Sequence, residues 1–504
     1  MDFKKLKSGS DVRGVAMGEN AVLTPAVAQT LGRAFVAFLS QKLLKKPEQL
    51  TIAVGRDSRL SGPQLLGAVL EGIISTGATA ADYEMCTTPS MYMAILTEGF
   101  QPDASIMITA SHHPWQLNGL KFFTKEGGLG FHELDEVLEI AQHLLPAESE
   151  KRPGKVLHTP FLPTYQKHLE ELIISGVDPE VQKPLLGLHV VVDAGNGAGG
   201  FYANMLEELG AWVEGSQFLE PDGHFPNHIP NPENADAMAS ISAAVRKYDA
   251  DLGVIFDADC DRAAIVDHTG REINRNRLIA LISAILLEEM PGATIVTDSV
   301  TSSGLADFIQ EWGGVHYRYK RGYRNVIDEA IRLNEAGVNC PLAIETSGHA
   351  ALRSNHFLDD GMYLVTVLLI KAMQLKQQGE ELSKLLDGLK EPVESREIRL
   401  NVIAEDFAPA ARQLIERLME YATEHEEWHI APDNREGVRI SFDIDSHLNA
   451  AWFLLRLSVH DPVMPLNAES DVPGGVRYVL QKLYEAIQDE TDVVDLSPLR
   501  AALQ

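Results

Sequence analysis

The chain has 504 residues, with 43 Lys and Arg against 72 Asp and Glu, so its formal net charge is −29. This length allows three or four domains that each bury a core, and the content of 45% hydrophobic and 23% charged residues is that of a folded protein. The negative charge argues against a nucleic-acid-binding protein, because contacts to a phosphate backbone need a clustered basic surface. An anionic small molecule would need a local basic site.

The beginning of the chain, MDFKKLKSGSDVRG, has no apolar signal region, and no apolar stretch reaches the length of a membrane-spanning helix. Cys86, Cys260 and Cys340 have neither zinc-site nor disulfide-framework spacing. We therefore expect a cytoplasmic protein with reduced thiols and no contact with a membrane.

Three segments of the chain share one pattern of predicted elements. Each begins with a β-branched strand (TIAVGRD, HVVVD or TIVTD) and continues through a Gly- or Ser-rich loop into an amphipathic helix that stops at glycine. A second strand is predicted after each helix, in ADYEMC, WVEGS and VHYRY, which gives three βαβ units. A third strand then leads into a polar loop: SIMITA into SHHP, LGVIF into DADCDR, and PLAIE into TSGH. Ligands of open α/β sheets bind beyond the carboxyl ends of strands, so we expect these loops to face one central cleft.

The βα pattern ends near residue 392, and apolar runs such as VRISFDI and AWFLLRLS then predict a smaller α+β domain. We predict three tandem related α/β domains with mixed or parallel sheets, followed by this C-terminal domain. The predicted boundaries, placed at polar and proline-bearing stretches, are 1–155, 156–272, 273–392 and 393–504.

The segment DADCDR is the strongest candidate site. Asp257, Asp259 and Asp261 alternate along an extended loop and can supply oxygen ligands to Mg²⁺ from one side. An EF-hand has the same beginning, but its sixth and twelfth positions need Gly and Glu, and here they are Arg262 and His268. A solvated acidic turn is the alternative. The apolar strand that leads into the loop favours metal binding.

Ser111, in TASHHP, ends another apolar strand and has Lys121 downstream, so it could accept a phosphoryl group. A serine hydrolase is disfavoured because the G-x-S-x-G motif is absent. Metal binding by His112 and His113 is disfavoured because adjacent histidines seldom chelate one ion. These residues are equally compatible with a loop that has only a structural role.

The segment Gly195-Asn196-Gly197-Ala198-Gly199-Gly200 has the form of a dinucleotide-binding G-x-G-x-x-G motif, and Glu214 follows where a ribose-binding acid would stand. A dinucleotide-dependent dehydrogenase is therefore one alternative function. The motif lies in the second unit, whereas the other units have no such glycines. We favour a turn that lets a helix approach the sheet closely.

Two further strand-end loops carry polar groups. Glu345, Ser347 and His349 share one side of an extended loop, as binding of a polyhydroxylated ligand requires. Arg456 and Ser458 follow the apolar run AWFLL and offer donors to a phosphate. Each motif alone is also compatible with a structural loop.

These motifs, in this order, resemble those of the α-D-phosphohexomutase family over nearly the whole chain. TASHHP is similar to the family's TASHNP phosphoserine loop, and NGLK to the N-G-x-K that follows it. DADCDR is similar to the D-G-D-x-D-R metal loop, and IETSGH to the G-E-x-S-G-H sugar loop. SDVRG, VGRDSR and VDAGNGAGG also have counterparts in the family.

The resemblance implies reversible phosphoryl transfer between the 1- and 6-positions of a hexose phosphate, through phospho-Ser111 and a hexose 1,6-bisphosphate that also serves as activator. It implies one Mg²⁺ per chain, bound by Asp257, Asp259, Asp261 and the phosphorylated Ser111. The other catalytic residues that it implies are Arg13, Lys121, Arg262 and His349, and the substrate-binding residues are Lys320, Gly322, Glu345, Ser347, Arg456 and Ser458.

The sequence departs from the family at Val459-His460-Asp461, where the phosphate-binding R-x-S-G-T-E-P loop has other residues, and at His113 in place of Asn. A sugar-phosphate-binding relative without catalysis is therefore a second alternative. The expected partner is a small hexose phosphate, and the expected assembly is a monomer or a homodimer.

Overall fold

The computed structural model describes residues 2–144, 153–458 and 462–504. They form two compact units, of which the first comprises Met1–Leu278 with Ser347–Leu385 and the second Ile279–Thr346 with Leu386–Gln504. Within the described ranges, no helix is both long and apolar enough to cross a membrane. Short 3₁₀ helices lie at Phe3–Leu6, Pro47–Gln49, Ala198–Gly200, Arg353–Asn355 and Leu382–Leu386.

A mixed sheet covered by helices forms the N-terminal part of the first unit. Its elements are β1 (Lys7–Ser8), β2 (Asp11–Val15), α1 (Pro25–Leu43), β3 (Thr51–Arg56), α2 (Gly62–Ser75), β4 (Thr79–Met85), α3 (Thr88–Leu96), β5 (Ala104–Ile108), β6 (Leu117–Thr124), β7 (Gly127–Gly128), α4 (Phe131–His143) and β8 (Val156–His158). The strand order is β1-β2-β6-β5-β3-β4-β8, with β7 paired to β6. Strand β3 pairs in parallel with β4 and β5, whereas β6 is antiparallel to β5 and β2. Apolar residues of α1, α2 and α4 share one core with β3 and β5.

A second sheet follows in the first unit. The next elements are α5 (Leu162–Val177), β9 (Val190–Asp193), α6 (Phe201–Glu208), α7 (Ala235–Tyr248), β10 (Leu252–Phe256), β11 (Ala263–Asp267) and β12 (Glu272–Ile273). Helix α8 (Asn276–Glu289) begins in the first unit, and from Ile279 onwards it belongs to the second. The sheet has the order β12-β11-β10-β9, and only the β9–β10 pair is parallel among these strands. The strand predicted in WVEGS is wrong, because Trp212 and Gln217 make only isolated bridges. Gly215, at φ +90°, turns the backbone out of the extended conformation.

The following segment contributes to both units. Its elements are β13 (Thr294–Thr297), α9 (Ser303–Glu311), β14 (Val315–Arg318), α10 (Tyr323–Glu335), β15 (Leu342–Ile344), β16 (Ala350–Leu352), β17 (Leu358–Asp359) and α11 (Gly361–Gln377). In the second unit, β13 pairs in parallel with β14 and β15. In the first unit, β16 pairs antiparallel with β17.

The C-terminal region of the second unit is an antiparallel sheet with helices. Its elements are β18 (Glu394–Asn401), α12 (Phe407–Glu424), β19 (His429–Ile430), β20 (Val438–Ile444), β21 (His447–Leu455), β22 (Val463–Ser470), α13 (Gly475–Ile487) and α14 (Ser497–Leu503). The strand order is β18-β22-β21-β20-β19, and α12 and α13 share a core with the sheet. The predicted fold class, α/β regions with mixed sheets followed by an α+β region, is confirmed.

Candidate active site

Ser111 lies in the loop between β5 and β6, and it is fully buried. Its backbone has φ +51°, in the left-handed region. This conformation costs a non-glycine residue about 1–2 kcal/mol, so the surrounding structure must hold it in place. The conformation aims the Ser111 hydroxyl at the loop after β10, where its Oγ donates a hydrogen bond to Oδ2 of Asp257 at 2.8 Å.

The loop after β10 carries Asp257, Asp259 and Asp261, all of them fully buried. One oxygen from each of these carboxylates lies within 4.8 Å of the other two. Oδ1 of Asp259 and Oδ1 of Asp261 have no hydrogen-bond partner among the described residues. Burial and the two neighbouring carboxylates raise the pKa of Asp257 well above its usual range. A set of converging carboxylate oxygens with mutual repulsion fits a hard divalent cation, which would neutralise it.

Basic side chains accompany these carboxylates. Lys121, on β6, forms a salt bridge with Asp261 and lies 3.5 Å from Oδ2 of Asp259. Burial opposes ionisation of Asp261, but Lys121 and the other cations outweigh burial and hold the pKa of Asp261 below its usual range. The Nε atom of Arg262 lies 3.9 Å from both Asp257 and Asp261.

Arg13 joins this group from β2. Its Nη1 atom donates to the carbonyl of Ala110, next to Ser111, at 3.0 Å. Arg13, Lys121 and Arg262 therefore all lie at the Ser111 loop or at the carboxylate loop, although the chain as a whole is strongly acidic.

His349 is bonded at both ring nitrogens. Arg262 Nε donates to His349 Nε2 at 2.8 Å, and His349 Nδ1 lies 2.6 Å from Asp359 Oδ2. Nε2 can accept only when it carries no proton, so this pair of contacts requires the neutral ring with its proton on Nδ1. Burial alone would lower the pKa of His349, but the Asp359 carboxylate outweighs burial and raises it. The geometry therefore links Asp359, His349 and Arg262 in one chain of hydrogen bonds.

The glycine-rich loop at 195–200 packs against the carboxylate loop. A Cβ atom on Gly197 would lie 2.6 Å from the carbonyl oxygen of Ala258, and one on Gly200 would lie 1.9 Å from that of Leu219. The glycines therefore permit a close approach of backbones, as predicted from the sequence. A dinucleotide would need the space that Ala258 and Leu219 occupy, which argues against the dehydrogenase alternative.

The predicted substrate-binding residues of the second unit form two groups. Glu345, which follows β15, accepts a hydrogen bond from the backbone N–H of Gly322 at 2.6 Å, and Lys320 is exposed just after β14. Arg456, at the end of β21, is only 8% exposed, and its Nε has no partner among the described residues. The backbone N–H of Ser458 donates to the Val463 carbonyl at 2.9 Å.

Two predicted positions need separate mention. Ser347 belongs to the first unit and is buried. The departure from the family pattern at Val459-His460-Asp461 lies outside the described residues.

Three residues that contact the site were not predicted from the sequence. Arg59 and Asp359 bond the Ser111 loop and His349 respectively, and the hydroxyl of Thr88 donates to Asp259. Arg59 lies two residues after Asp57 in GRDSR, and Asp359 lies beside Asp360 in LDDG, so charged residues clustered at a strand end were the available sequence signal. For Thr88 no local signal exists, because its partner is 171 residues away.

Comparisons with known proteins identify the family of this chain. Family models described as phosphoglucomutase/phosphomannomutase α/β/α domains I, II and III match residues 4–145, 163–270 and 274–392. The chain belongs to the phosphoglucomutase/phosphomannomutase family. The resemblance to α-D-phosphohexomutases is thereby confirmed, and with it the predicted enzyme class, an isomerase that transfers a phosphoryl group within its substrate.

Individual members of the family match along nearly the whole chain. A phosphomannomutase/phosphoglucomutase of Pseudomonas aeruginosa is 30% identical over 97% of this chain and 95% of its own. A phosphoglucomutase of Neisseria gonorrhoeae is 29% identical over 96% of this chain and 97% of its own. The crystal structure of a family member from Burkholderia thailandensis superposes with a TM-score of 0.79 at 27% identity, covering 97% of this chain and 98% of that one.

Proposed function

We propose that this chain interconverts the 1- and 6-phosphates of a hexose through a phosphorylated Ser111 and a hexose 1,6-bisphosphate. The observation that carries the proposal is the 2.8 Å hydrogen bond from the Ser111 hydroxyl to Asp257, because it brings the candidate nucleophile to the carboxylate cluster. Glucose, mannose and glucosamine phosphates are the candidate substrates, since relatives are named for all three sugars.

Asp257, Asp259 and Asp261 would hold one Mg²⁺ together with an oxygen of phospho-Ser111. When bound, Mg²⁺ supplies positive charge that favours cleavage of the bond between the serine oxygen and phosphorus. The orphaned Oδ1 atoms of Asp259 and Asp261 support this assignment, because buried acceptors without a donor are costly unless a cation is bound.

The basic residues would bind the phosphoryl oxygens while the phosphoryl group moves. Transfer breaks the Ser111 O–P bond and forms a bond from phosphorus to a sugar hydroxyl oxygen, and the proton that this hydroxyl loses balances the proton that the Ser111 oxygen gains. Arg13, Lys121 and Arg262 provide the positive charge that stabilises the equatorial oxygens. The Ser111 oxygen that is released takes up a proton and donates it in the hydrogen bond to Asp257.

His349 serves best as a residue that positions Arg262. Both of its ring nitrogens are engaged, one by Arg262 and the other by Asp359. Its Nε2 lone pair fixes the direction of the Arg262 guanidinium. A proton from the sugar hydroxyl could reach His349 only after this contact had opened.

Residues of the second unit would bind the sugar and the phosphate that is not transferred. Glu345 and Lys320 are proposed to contact sugar hydroxyls, with Gly322 supporting Glu345. Ser347, which belongs to the first unit, is also proposed to contact a sugar hydroxyl. Arg456 is proposed to bind the phosphate together with Ser458. Burial lowers the pKa of Arg456, and an anion that bound to it would relieve this cost.

Mutase activity and phosphorylation of Ser111 test the proposal. The assay measures 6-phosphate formation from the 1-phosphates of glucose, mannose, glucosamine and N-acetylglucosamine, with Mg²⁺ and a trace of the matching 1,6-bisphosphate. We expect activity with at least one sugar, and intact-mass analysis should show one phosphate on the bisphosphate-treated protein. Ser111→Ala should lose both the activity and the phosphate.

Ser75→Ala is the matched control, because among the described residues the Ser75 hydroxyl bonds only the Gly72 carbonyl, within α2. It should keep both the activity and the phosphate. Full activity of Ser111→Ala would contradict the proposal. A wild-type chain that binds sugar phosphates but turns over none of them would establish the non-catalytic alternative instead.

A further inference from the structure

Arg59 lies in the loop after β3 and is 0% exposed. Its two terminal nitrogens donate to backbone carbonyl groups at Ser111, His113 and Pro114, in the loop between β5 and β6, and at Leu117, the first residue of β6. Apart from the contact with Ser111, these bonds span 2.7–3.0 Å. The guanidinium group therefore holds the Ser111 loop and the start of β6 at four points along the backbone.

Asp57 fixes Arg59 and extends the network to the amide of Ser111. Oδ2 of Asp57 accepts from Arg59 Nε at 3.2 Å and from the hydroxyl of Thr109 at 2.7 Å. The Thr109 hydroxyl oxygen in turn accepts from the backbone N–H of Ser111 at 2.9 Å. Both sides of Ser111, its N–H and its carbonyl, are thus bonded by one buried network.

Phe225 closes this network from a neighbouring loop. Its ring lies 5.1 Å from the Arg59 guanidinium carbon, a cation–π contact. Burial raises the pKa of Asp57 to about 6, although Arg59 opposes this shift. At neutral pH the carboxylate and guanidinium groups form a buried ion pair. The two terminal nitrogens of Arg59 and Oδ2 of Asp57 also bond residues 109–117, and Oδ1 of Asp57 accepts from the backbone N–H of Arg59.

We propose that Arg59, with Asp57 and Thr109, is a positioning residue that holds Ser111 in its left-handed backbone conformation and so directs its hydroxyl to the carboxylate loop. The inference rests on the proposed function of Ser111 in phosphoryl transfer. Among the described residues, Arg59 makes no hydrogen bond to Asp257, Asp259 or Asp261, nor to the loops proposed to bind the sugar. Its effect on the reaction therefore passes through the backbone of the Ser111 loop.

Replacement by lysine tests the inference, because one ammonium group retains the charge but cannot reach four carbonyls and Asp57. Misplacement of a reacting group by about 1 Å lowers rates about 100-fold, so Arg59→Lys should lose about 100-fold in kcat. The KM for the sugar phosphate should be unchanged. In Arg59→Ala, added guanidinium ion should restore part of kcat, whereas the same concentration of NaCl should not.

Arg439→Lys is the control. Arg439 is 5% exposed and donates to the carbonyl of Ser299 in the second unit. Its replacement should change stability without changing kcat of the folded protein.

Hydrogen–deuterium exchange gives a readout that needs no activity. Thr109→Val removes the acceptor of the Ser111 amide and should speed exchange in residues 109–117, whereas Thr109→Ser should keep the wild-type rate. Wild-type kcat in folded Arg59→Lys, or unchanged exchange in Thr109→Val, would overturn the inference. If the wild-type chain has no mutase activity, the proposed function fails, and the exchange experiment still decides whether the network holds the loop.

Discussion

Replacing Gly197 with alanine should displace the carboxylate loop, against which Gly197 packs. The backbone of Gly197 has φ −82°, so alanine meets no conformational penalty there. Its Cβ atom would lie 2.6 Å from the Ala258 carbonyl oxygen and 2.7 Å from the Ala258 Cα. These distances fall roughly 0.8 Å short of ordinary contact, and Ala258 stands between Asp257 and Asp259. The strain must therefore move the carboxylates that are proposed to bind Mg²⁺.

The expected loss of stability is about 1–3 kcal/mol, the cost of one extra methyl group in a well-packed region. Displacement of the carboxylates by a similar fraction of an ångström should lower kcat about 10- to 100-fold. The Mg²⁺ concentration needed for half-maximal activity should also rise. Urea unfolding, Mg²⁺ titration of the mutase assay and intact-mass analysis of Ser111 phosphorylation measure these effects on one preparation.

Gly67→Ala is the matched control. Gly67 is exposed in the middle of α2, and a Cβ atom there meets no atom within 4 Å. Alanine should stabilise this helix by about 0.5–1 kcal/mol and leave activity unchanged. A Gly197→Ala protein with wild-type stability and wild-type Mg²⁺ dependence would refute the reasoning, since the close approach to Ala258 would then have no consequence.

Two further predictions concern charge in the first unit. Mg²⁺ should raise the thermal unfolding midpoint above that measured in EDTA, because a cation that binds the folded carboxylates stabilises them, and Asp259→Asn should abolish most of this increase. Burial alone would lower the pKa of His228, but the hydrogen-bonded Asp193 carboxylate outweighs it and raises the pKa. The stability advantage of wild type over His228→Asn should therefore be full at about pH 6 and shrink as the pH approaches 9.

The results that would contradict these predictions are distinct. An equal thermal unfolding midpoint in Mg²⁺ and in EDTA would mean that the carboxylate cluster holds no cation. Asp267→Asn changes a carboxylate outside the cluster and is the control for the loss of one charge. Urea midpoints of wild type and His228→Asn that differ equally at both pH values would mean that the Asp193–His228 pair is not an ion pair in the folded protein. A difference between the two midpoints that grows with pH would be opposite to the expected trend and would contradict the raised pKa of His228.

Much of the fold could be predicted from local sequence signals. Apolar β-branched runs predicted β3, β5, β9, β10, β13 and β15, because a buried strand needs apolar side chains on both faces. The glycines after α2 and α9 marked the ends of these helices, because glycine readily adopts the left-handed backbone conformation that ends a helix. The WVEGS segment failed because its apolar residues suggested a strand that Gly215 interrupts.

The candidate site was predictable only in part. Asp257, Asp259 and Asp261 stand close together in the chain, so their spacing alone indicated a metal-binding loop. The contacts of Ser111 with Asp257 and of Lys121 with Asp261 join residues 146 and 140 positions apart, and spacing gives no information about such pairs. The family resemblance supplied the expectation that these residues act together.

By itself, the sequence determined the chemistry that is present: three alternating carboxylates, a serine at a strand end, and glycines where backbones must pass closely. The tertiary structure alone decided which groups meet and which conformations are held. It placed Arg59 against four carbonyl groups of residues 111–117 and fixed Ser111 at φ +51°. It also placed His349 between Arg262 and Asp359. The physical reason is that local propensity depends on neighbours in the chain, whereas hydrogen bonding, burial and charge pairing depend on neighbours in space.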